Sequence, residues 1–296
     1  MVNFPSARLV ALAVLMLSLS GCLSRTRTVN RRLVNPANLR IATLPELVQT
    51  IDSDARKIHS LTATVEIATS VGGAKKGKVT EYQQIKGYIL EKDPDMLRMI
   101  GKVPLVGTTL FDMVSDGKTF KLSIPVTNRF IEGPAEEGAV PSTNTLENLR
   151  PHVFFDSLLL HEIAADEIPV LEQSTQIVTD AKNKKKSWEV PDYVVDIIKK
   201  DGEFWYMERK IEFDRINLKP YRQLIYDQTG QVATEAIYEE YQDFNGMSFP
   251  SIIQINRPKE EYSVRLIIEK LQVNTPMTDE QFVLKQPEGS RLKVLK

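Results

Sequence analysis

The sequence predicts a mainly β chain with two helices, its strands forming one curled antiparallel sheet that makes an open half-barrel under a helical lid. Three observations predict this. Between residues 60 and 273 apolar and polar residues alternate with a period of two in run after run, each closed by a turn signal such as Asp116-Gly117, Asp201-Gly202 or Asn245-Gly246. Only two stretches carry a helical period. No linker divides the strands, and a meander of about a dozen of them has to curl.

The chain has 296 residues, 42% hydrophobic and 26% charged, which places its bulk among folded proteins. Its 38 Lys and Arg against 39 Asp and Glu give a formal charge of −1. That leaves no basic excess for phosphates, so no nucleic-acid partner is expected. The single cysteine, Cys22, excludes an internal disulfide and a cysteine-based zinc site.

Residues 1–21 read as a lipoprotein signal peptide. The uncharged run from Leu9 to Gly21 is too short to span a bilayer but suits the apolar core of a secretory signal. It ends in Leu19-Ser20-Gly21-Cys22, which resembles the bacterial lipobox, so Cys22 is the expected lipidation site and the mature amino terminus. Two or three acyl chains at about 0.8 kcal/mol per buried CH₂ hold a protein to a membrane permanently. Leu23 follows the cysteine where Asp would resemble an inner-membrane retention signal, so the expected location is the outer membrane, facing the periplasm. Residues 22–42 carry Arg25, Arg27, Arg31, Arg32 and Arg40 without an acid or an apolar period and read as a lipidated tether. The half-barrel domain is expected over 43–296.

Thr43-Leu-Pro-Glu46 is a capping-box pattern, and Leu44, Leu47, Val48, Ile51, Ala55 and Ile58 then recur at helical spacing. From Ser60 the period switches to two, with Leu61, Ala63, Val65 and Ile67 on one face. Strands are predicted near 79–92, 96–102, 108–115 and 118–126. Residues 142–160, with Leu146, Leu149, Val153, Phe154 and Leu158, form the second helix. Alternation resumes at 173–180, 191–200, 203–214, 218–228, 231–243, 247–256 and 262–273.

Catalytic patterns come close and fail. Gly72-Gly-Ala-Lys-Lys-Gly77-Lys78-Val79 has phosphate-loop spacing but Val79 where Ser or Thr must bind magnesium, and it runs from strand to strand. His161-Glu162-Ile-Ala-Ala165 begins like a zinc-protease helix but has Ala165 in place of the second ligand. The three histidines, His59, His152 and His161, have no metal-ligand spacing. Lys182-Asn-Lys-Lys-Lys186 reads as a solvated turn. The chain is therefore read as a non-enzyme with no catalytic residue, metal or cofactor.

Ile58-His-Ser-Leu-Thr-Ala63, Lys92-Asp-Pro94-Asp-Met-Leu-Arg98, Ser115-Asp-Gly-Lys-Thr-Phe120 with Pro125, and the ending Val273-Asn-Thr-Pro276, Phe282 and Pro287-Glu-Gly289 resemble, in order and spacing, the LolA/LolB family of bacterial lipoprotein carriers and receptors. The lipidated Cys22 is similar to the receptor branch. The carriers have a lid-latching arginine before the proline equivalent to Pro94, and Asp93 stands there instead, so that latch does not carry over. The resemblance implies a concave apolar face that takes up acyl chains of lipoproteins or lipids, a chain of about 16 carbons gaining on the order of 10 kcal/mol on leaving water. Its candidate lining is Val65, Ile67, Ile89, Leu97, Met99, Phe120, Leu122, Ile211, Phe213, Leu266 and Ile268. It also implies a membrane-insertion loop, here Val103, Pro104, Leu105 and Val106 with Leu105 at the tip, and a soluble periplasmic carrier as a further partner. The expected function is insertion of lipoproteins or lipids into the outer membrane; the alternative is a lipid-sensing regulator or structural adaptor of the envelope with the same fold and no transfer activity.

Overall fold

The computed structural model describes residues 38–135, 151–179 and 187–295. Chain contacts divide it into two units, residues 1–36 with 177–190, and residues 37–176 with 191–296. The described part of the first is limited to strand ends at 177–179 and 187–190.

Helix α1 (Leu44–Lys57) starts at the predicted capping box, where the Thr43 amide and hydroxyl donate to Glu46 Oε2 at 2.7 and 2.8 Å. Its buried Leu47 and Ile51 lie one turn apart, as an amphipathic stripe requires. The strands are β1 (Ser60–Gly73), β2 (Lys78–Glu81), β3 (Ile85–Lys92), β4 (Met96–Lys102), β5 (Thr109–Asp116), β6 (Thr119–Ile124) and β7 (Arg129–Pro134). Helix α2 (Pro151–Leu158) follows, then β8 (Glu167–Thr179), β9 (Ser187–Asp201), β10 (Phe204–Asp214), β11 (Pro220–Tyr226), β12 (Val232–Phe244), β13 (Met247–Arg257), β14 (Tyr262–Val273) and β15 (Arg291–Val294). These strands form one 15-stranded sheet in the order β15-β7-β6-β5-β4-β3-β1-β14-β13-β12-β11-β10-β9-β8, with β2 attached only to β1. Its edge strands β15 and β8 do not pair with each other, so it is an open, curled half-barrel.

Three expectations need correction. The strand at 79–92 is two strands, because β2 is exposed along its whole length and pairs with β1 beyond the point where β3 takes over. The strand at 118–126 ends at Ile124, where Pro125 removes a ladder donor and a 3-10 turn (Pro125–Thr127) leads into the unforeseen β7. The sheet is not wholly antiparallel, since the tail returns as β15 parallel to β7. The second helix is described over Pro151–Leu158 only; residues 136–150, and with them Leu146 and Leu149, lie outside the described residues, as do residues 180–186 with the Lys182–Lys186 run.

Because successive side chains alternate faces, register fixes a row across the concave side. On the amino-terminal half it runs Ile131, Leu122, Met113, Met99, Ile89 and Ala63, each opposite the next. On the other half Ile67 faces Leu266, which faces Ile253 and then Tyr238. One step along, Ala236 faces Gln223, then Ile211 and Val195. Val153, Phe154 and Leu158 of α2 join the larger cluster, while α1 covers Tyr193, Val195, Ile197, Ile211 and Phe213.

The recognised motifs fasten this sheet. Asn274 accepts from the His59 amide at 2.8 Å and donates to the Lys57 carbonyl at 2.7 Å, closing the end of α1 onto the end of β14. Arg98 holds Asp112 at 2.8 Å and the carbonyl of Gln281 in the tail at 2.7 Å. Asp116 caps the β5–β6 hairpin by accepting from the amides of Lys118 and Thr119.

Candidate functional site

All of the expected acyl-chain residues face the concave interior, and none is more than 5% exposed. Val65, Ile67, Ile89, Leu97, Met99, Phe120, Leu122, Leu266 and Ile268 share one cluster; Ile211 and Phe213 lie in the second, beneath α1. The structure thus brings them together as a filled core. Open space remains at one end, in a cleft lined by Ala55, Ile58, Leu158, Leu159, Leu160, Tyr238, Tyr241, Met247 and Phe249. Its cavity volume of about 60 Å³ suits a few waters and is far too small for an acyl chain. None of the expected lining residues borders this cleft. Its walls come from helix ends and the starts of β11 and β13, which alternation alone does not bring together.

Helix α2 sets Val153, Phe154 and Leu158 into the apolar interior, and the chain that follows it is held at several points. The connection after it is clamped. Arg209, buried on β10, donates to the carbonyls of His161 and Glu162 at 2.9 Å each and reaches Glu167 at 3.2 Å. Arg56 of α1 reaches Glu162 at 2.8 Å, and the Ile163 amide donates to Asp52 at 3.0 Å. His161 stacks on Phe155 and lies 3.3 Å from Asp156. His59 pairs with Asp93, and His152 with the Ala135 carbonyl. Each histidine thus has a local structural partner.

Beneath α2 the apolar interior contains polar groups without partners. The Glu91 carboxyl is 2% exposed and unpaired, the Ser157 hydroxyl, the Gln223 Oε1 and the Tyr238 hydroxyl likewise. Each such group costs roughly 1–3 kcal/mol. Burial pushes the Glu91 carboxyl well above the usual carboxylate range, with the Asp93 and Asp156 charges adding to it. Burial and the Asp156 charge also raise Tyr238. Strands β3 and β12 are separated in the sheet by three others, roughly 19 Å along a flat surface. The Asp156 charge acts on Glu91 of β3 and on Tyr238 of β12 alike.

At the opposite end the antiparallel order gathers the turns after β1, β4, β9, β11 and β13 on one rim. The β4–β5 turn is closed by the Val103 amide on Thr108 at 2.9 Å and the Gly107 amide on Val103 at 3.0 Å. Val103 and Pro104 are half-buried there, whereas Val106 is exposed and Leu105 wholly so, with a left-handed φ of 67°. Phe204 and Trp205, at the start of β10, are 79% and 49% exposed on the same rim, beside Lys200. Lys75 and Lys76 occupy the turn after β1, and Lys78 opens β2. The aromatic pair escaped the sequence reading because Phe204 and Trp205 continue a strand pattern whose faces only the sheet assigns.

No family model matches the sequence, and no curated protein matches it closely enough to count as a relative. The solved structure of a LolA superfamily protein from Nitrosomonas europaea superposes with a TM-score of 0.51 at 14% identity, covering 82% of this chain and 99% of that one. The chain has the fold of the LolA superfamily. A DUF1329 family protein from Desulfovibrio piger follows at a TM-score of 0.49 and 12% identity, covering 80% and 94%. A putative outer membrane lipoprotein-sorting protein domain from Vibrio parahaemolyticus is at 0.43 and 13%, covering 81% and 94%. Among the described residues no helix is long and apolar enough to cross a membrane, and no group of three potential metal ligands occurs. Cys22 lies outside the described residues.

Proposed function

We propose that this chain is a lipoprotein, anchored through Cys22 in the outer membrane and facing the periplasm, that binds acyl chains in its half-barrel and helps insert lipoproteins or lipids into that membrane, acting by binding and without chemistry. The observation that carries this reading is an apolar concave face running from β7 to β9, covered in part by α1 and in part by α2, a helix of 8 residues. A short helix set into a half-barrel is a replaceable plug: Phe154, Val153 and Leu158 occupy the volume that an acyl chain would take. The LolA superfamily fold supports it.

The Leu105 rim supports the membrane side. Burying Leu105 and Val106 in a bilayer gains about 1.5–3 kcal/mol for each large side chain, enough to orient a tethered domain and too little to anchor it. Trp205 and the neighbouring lysines fit an anionic interface. The tether joins the domain at the other end, where the Arg40 amide donates to Arg215 at 2.7 Å. From Cys22 to Arg40 an extended chain reaches about 60 Å, which lets the far rim meet the membrane.

The test uses the chain from residue 22 with Cys22→Ser, purified without detergent. A fluorescent fatty acid is expected to bind at micromolar concentration and native mass spectrometry to find acyl-bearing molecules; a folded protein that binds neither is not a carrier. Binding without transfer to liposomes would instead make it a lipid sensor. In cells Cys22→Ser should move the protein out of the membrane fraction, and retention there after a high-salt wash would overturn the anchor.

A further inference from the structure

The polar groups beneath α2 have no use in packing. Glu91 follows Ile89 by two residues and so shares its inward face, opposite Leu61 on β1 and Leu97 on β4. It is 2% exposed, and neither carboxyl oxygen has a partner. The charged groups that act on it, Asp93 and Asp156, are both acidic. Across the interior, Gln223 donates its amide nitrogen to the Asp156 carbonyl at 2.9 Å, which leaves its Oε1 buried and unpaired. The Tyr238 hydroxyl is also unpaired, at the floor of the cleft. Gln223 Oε1 lacks a donor, and the Glu91 carboxyl and the Tyr238 hydroxyl lack a partner of either kind, needs that an amine, which both accepts and donates, can meet.

Their place along the strands matters as much. Glu91 lies one residue from the end of β3, at the end of the sheet where the cleft opens between Ile58, Leu158 and Phe249. Farther down the barrel the same face is wholly apolar, through Ile89, Met99 and Val65. Polar groups at the mouth above an apolar barrel match an amphiphile inserted tail first.

We propose that the mouth of the half-barrel is a headgroup site for an amine-bearing amphiphile: with α2 displaced, Glu91 binds the ammonium group, Gln223 Oε1 and the Tyr238 oxygen accept its remaining N–H bonds, and the acyl tail runs down the concave face. This rests on the carrier reading above and adds a headgroup preference to it. A buried ammonium is tolerated only against a paired carboxylate, and Glu91 becomes one when its proton passes to the incoming neutral amine. A neutral alcohol or a fatty acid has no such gain, because neither can form an ion pair with Glu91.

The experiment is displacement of a bound fluorescent fatty acid from the chain beginning at residue 22 with Cys22→Ser, by dodecylamine, dodecanol or dodecanoate. Dodecylamine is expected to act at a concentration at least tenfold below that of dodecanol, and Glu91→Gln to abolish that preference while leaving dodecanol unchanged. Equal potency in the parent protein, or a preference that survives Glu91→Gln, overturns the headgroup site and leaves the carrier reading standing. Displacement by none of the three brings down both. If Glu91→Gln does not fold, Gln223→Met has to reduce the preference at least threefold. Two sources of the ammonium are then separated with a short-chain phosphatidylethanolamine and an S-acylated peptide with a free amino terminus: whichever loses potency in Glu91→Gln is the natural headgroup, and if neither does, the site is overturned.

Discussion

At the end of the sheet where β1 begins, α1, α2 and the 159–166 connection close over the apolar interior, whereas at the other end the turns leave Leu105, Val106, Phe204 and Trp205 in water. The first end hides polar groups among apolar ones; the second shows apolar groups among lysines. Each arrangement costs stability, and neither is needed to hold the sheet. The difference fits the proposed function, in which a cargo enters at the mouth and the far rim turns to a lipid surface.

The largest way to break that contrast is at Arg209. Its guanidinium and the Glu167 carboxylate are both less than 10% exposed, and no other described residue supplies the His161 and Glu162 carbonyls with a charged donor. Arg209→Met leaves the buried Glu167 carboxylate with the Ala164 amide at 2.9 Å but without its counter-charge, and should cost about 3–5 kcal/mol, read as a lower urea midpoint. It should also free the connection that holds α2, so that a fluorescent fatty acid binds faster. An unchanged association rate in a destabilised mutant would mean that the clamp has no part in access.

How much of this was readable beforehand differs between the two ends. Alternation placed Val65, Ile67, Ile89 and Met99 on one face, because a period of two is a property of the chain alone. It said nothing of α2 filling that face, which depends on tertiary packing, or of Glu91, which reads as an ordinary polar residue at a strand end until register puts it opposite Leu61. Arg209 was hidden for the same reason: it interrupts an otherwise regular strand at a bulge, where the β9–β10 register shifts between Met207 and Arg209. The Leu105 turn was legible, since four apolar residues between two strand patterns are unusual in any turn. β15 was not, because a parallel return by a tail has no local signal.

A smaller effect concerns pH at the mouth. Glu91 has its carboxyl raised in the folded protein well above the ordinary carboxylate range, chiefly by burial. The folded state therefore holds a proton that the unfolded chain releases above about pH 4.5. Stability from this group is complete below that value and declines as pH rises through the folded pKa. Glu91→Gln removes the decline, so melting temperatures of mutant and parent should lie close together near pH 4 and separate in favour of the mutant as pH increases. Parallel curves would mean that Glu91 is paired or solvated in solution.

The smallest effect on stability, and the most informative about the far rim, is expected at Leu105. A leucine there is unfavourable twice over: its side chain lies wholly in water, and its backbone is left-handed at φ 67°, a conformation that costs a residue with a Cβ roughly 1–2 kcal/mol. Glycine would remove both penalties, as it does two residues later at Gly107, where φ is 72°. Leu105→Gly should therefore fold with equal or slightly greater stability, and Leu105→Glu should shift stability by less than about 0.5 kcal/mol, because neither touches the core. Both should keep the affinity for a fluorescent fatty acid, since the interior is untouched, and both should lose transfer of that ligand to anionic liposomes. Phe204→Ser is expected to give a weaker defect of the same kind. If Leu105→Gly transfers lipid at the parent rate, the strained leucine has no role at the membrane and the rim is only a set of turns. If Leu105→Glu fails while Leu105→Gly succeeds, the loss comes from added negative charge, and attraction by the lysines of the rim, rather than insertion of Leu105, brings this end to the bilayer.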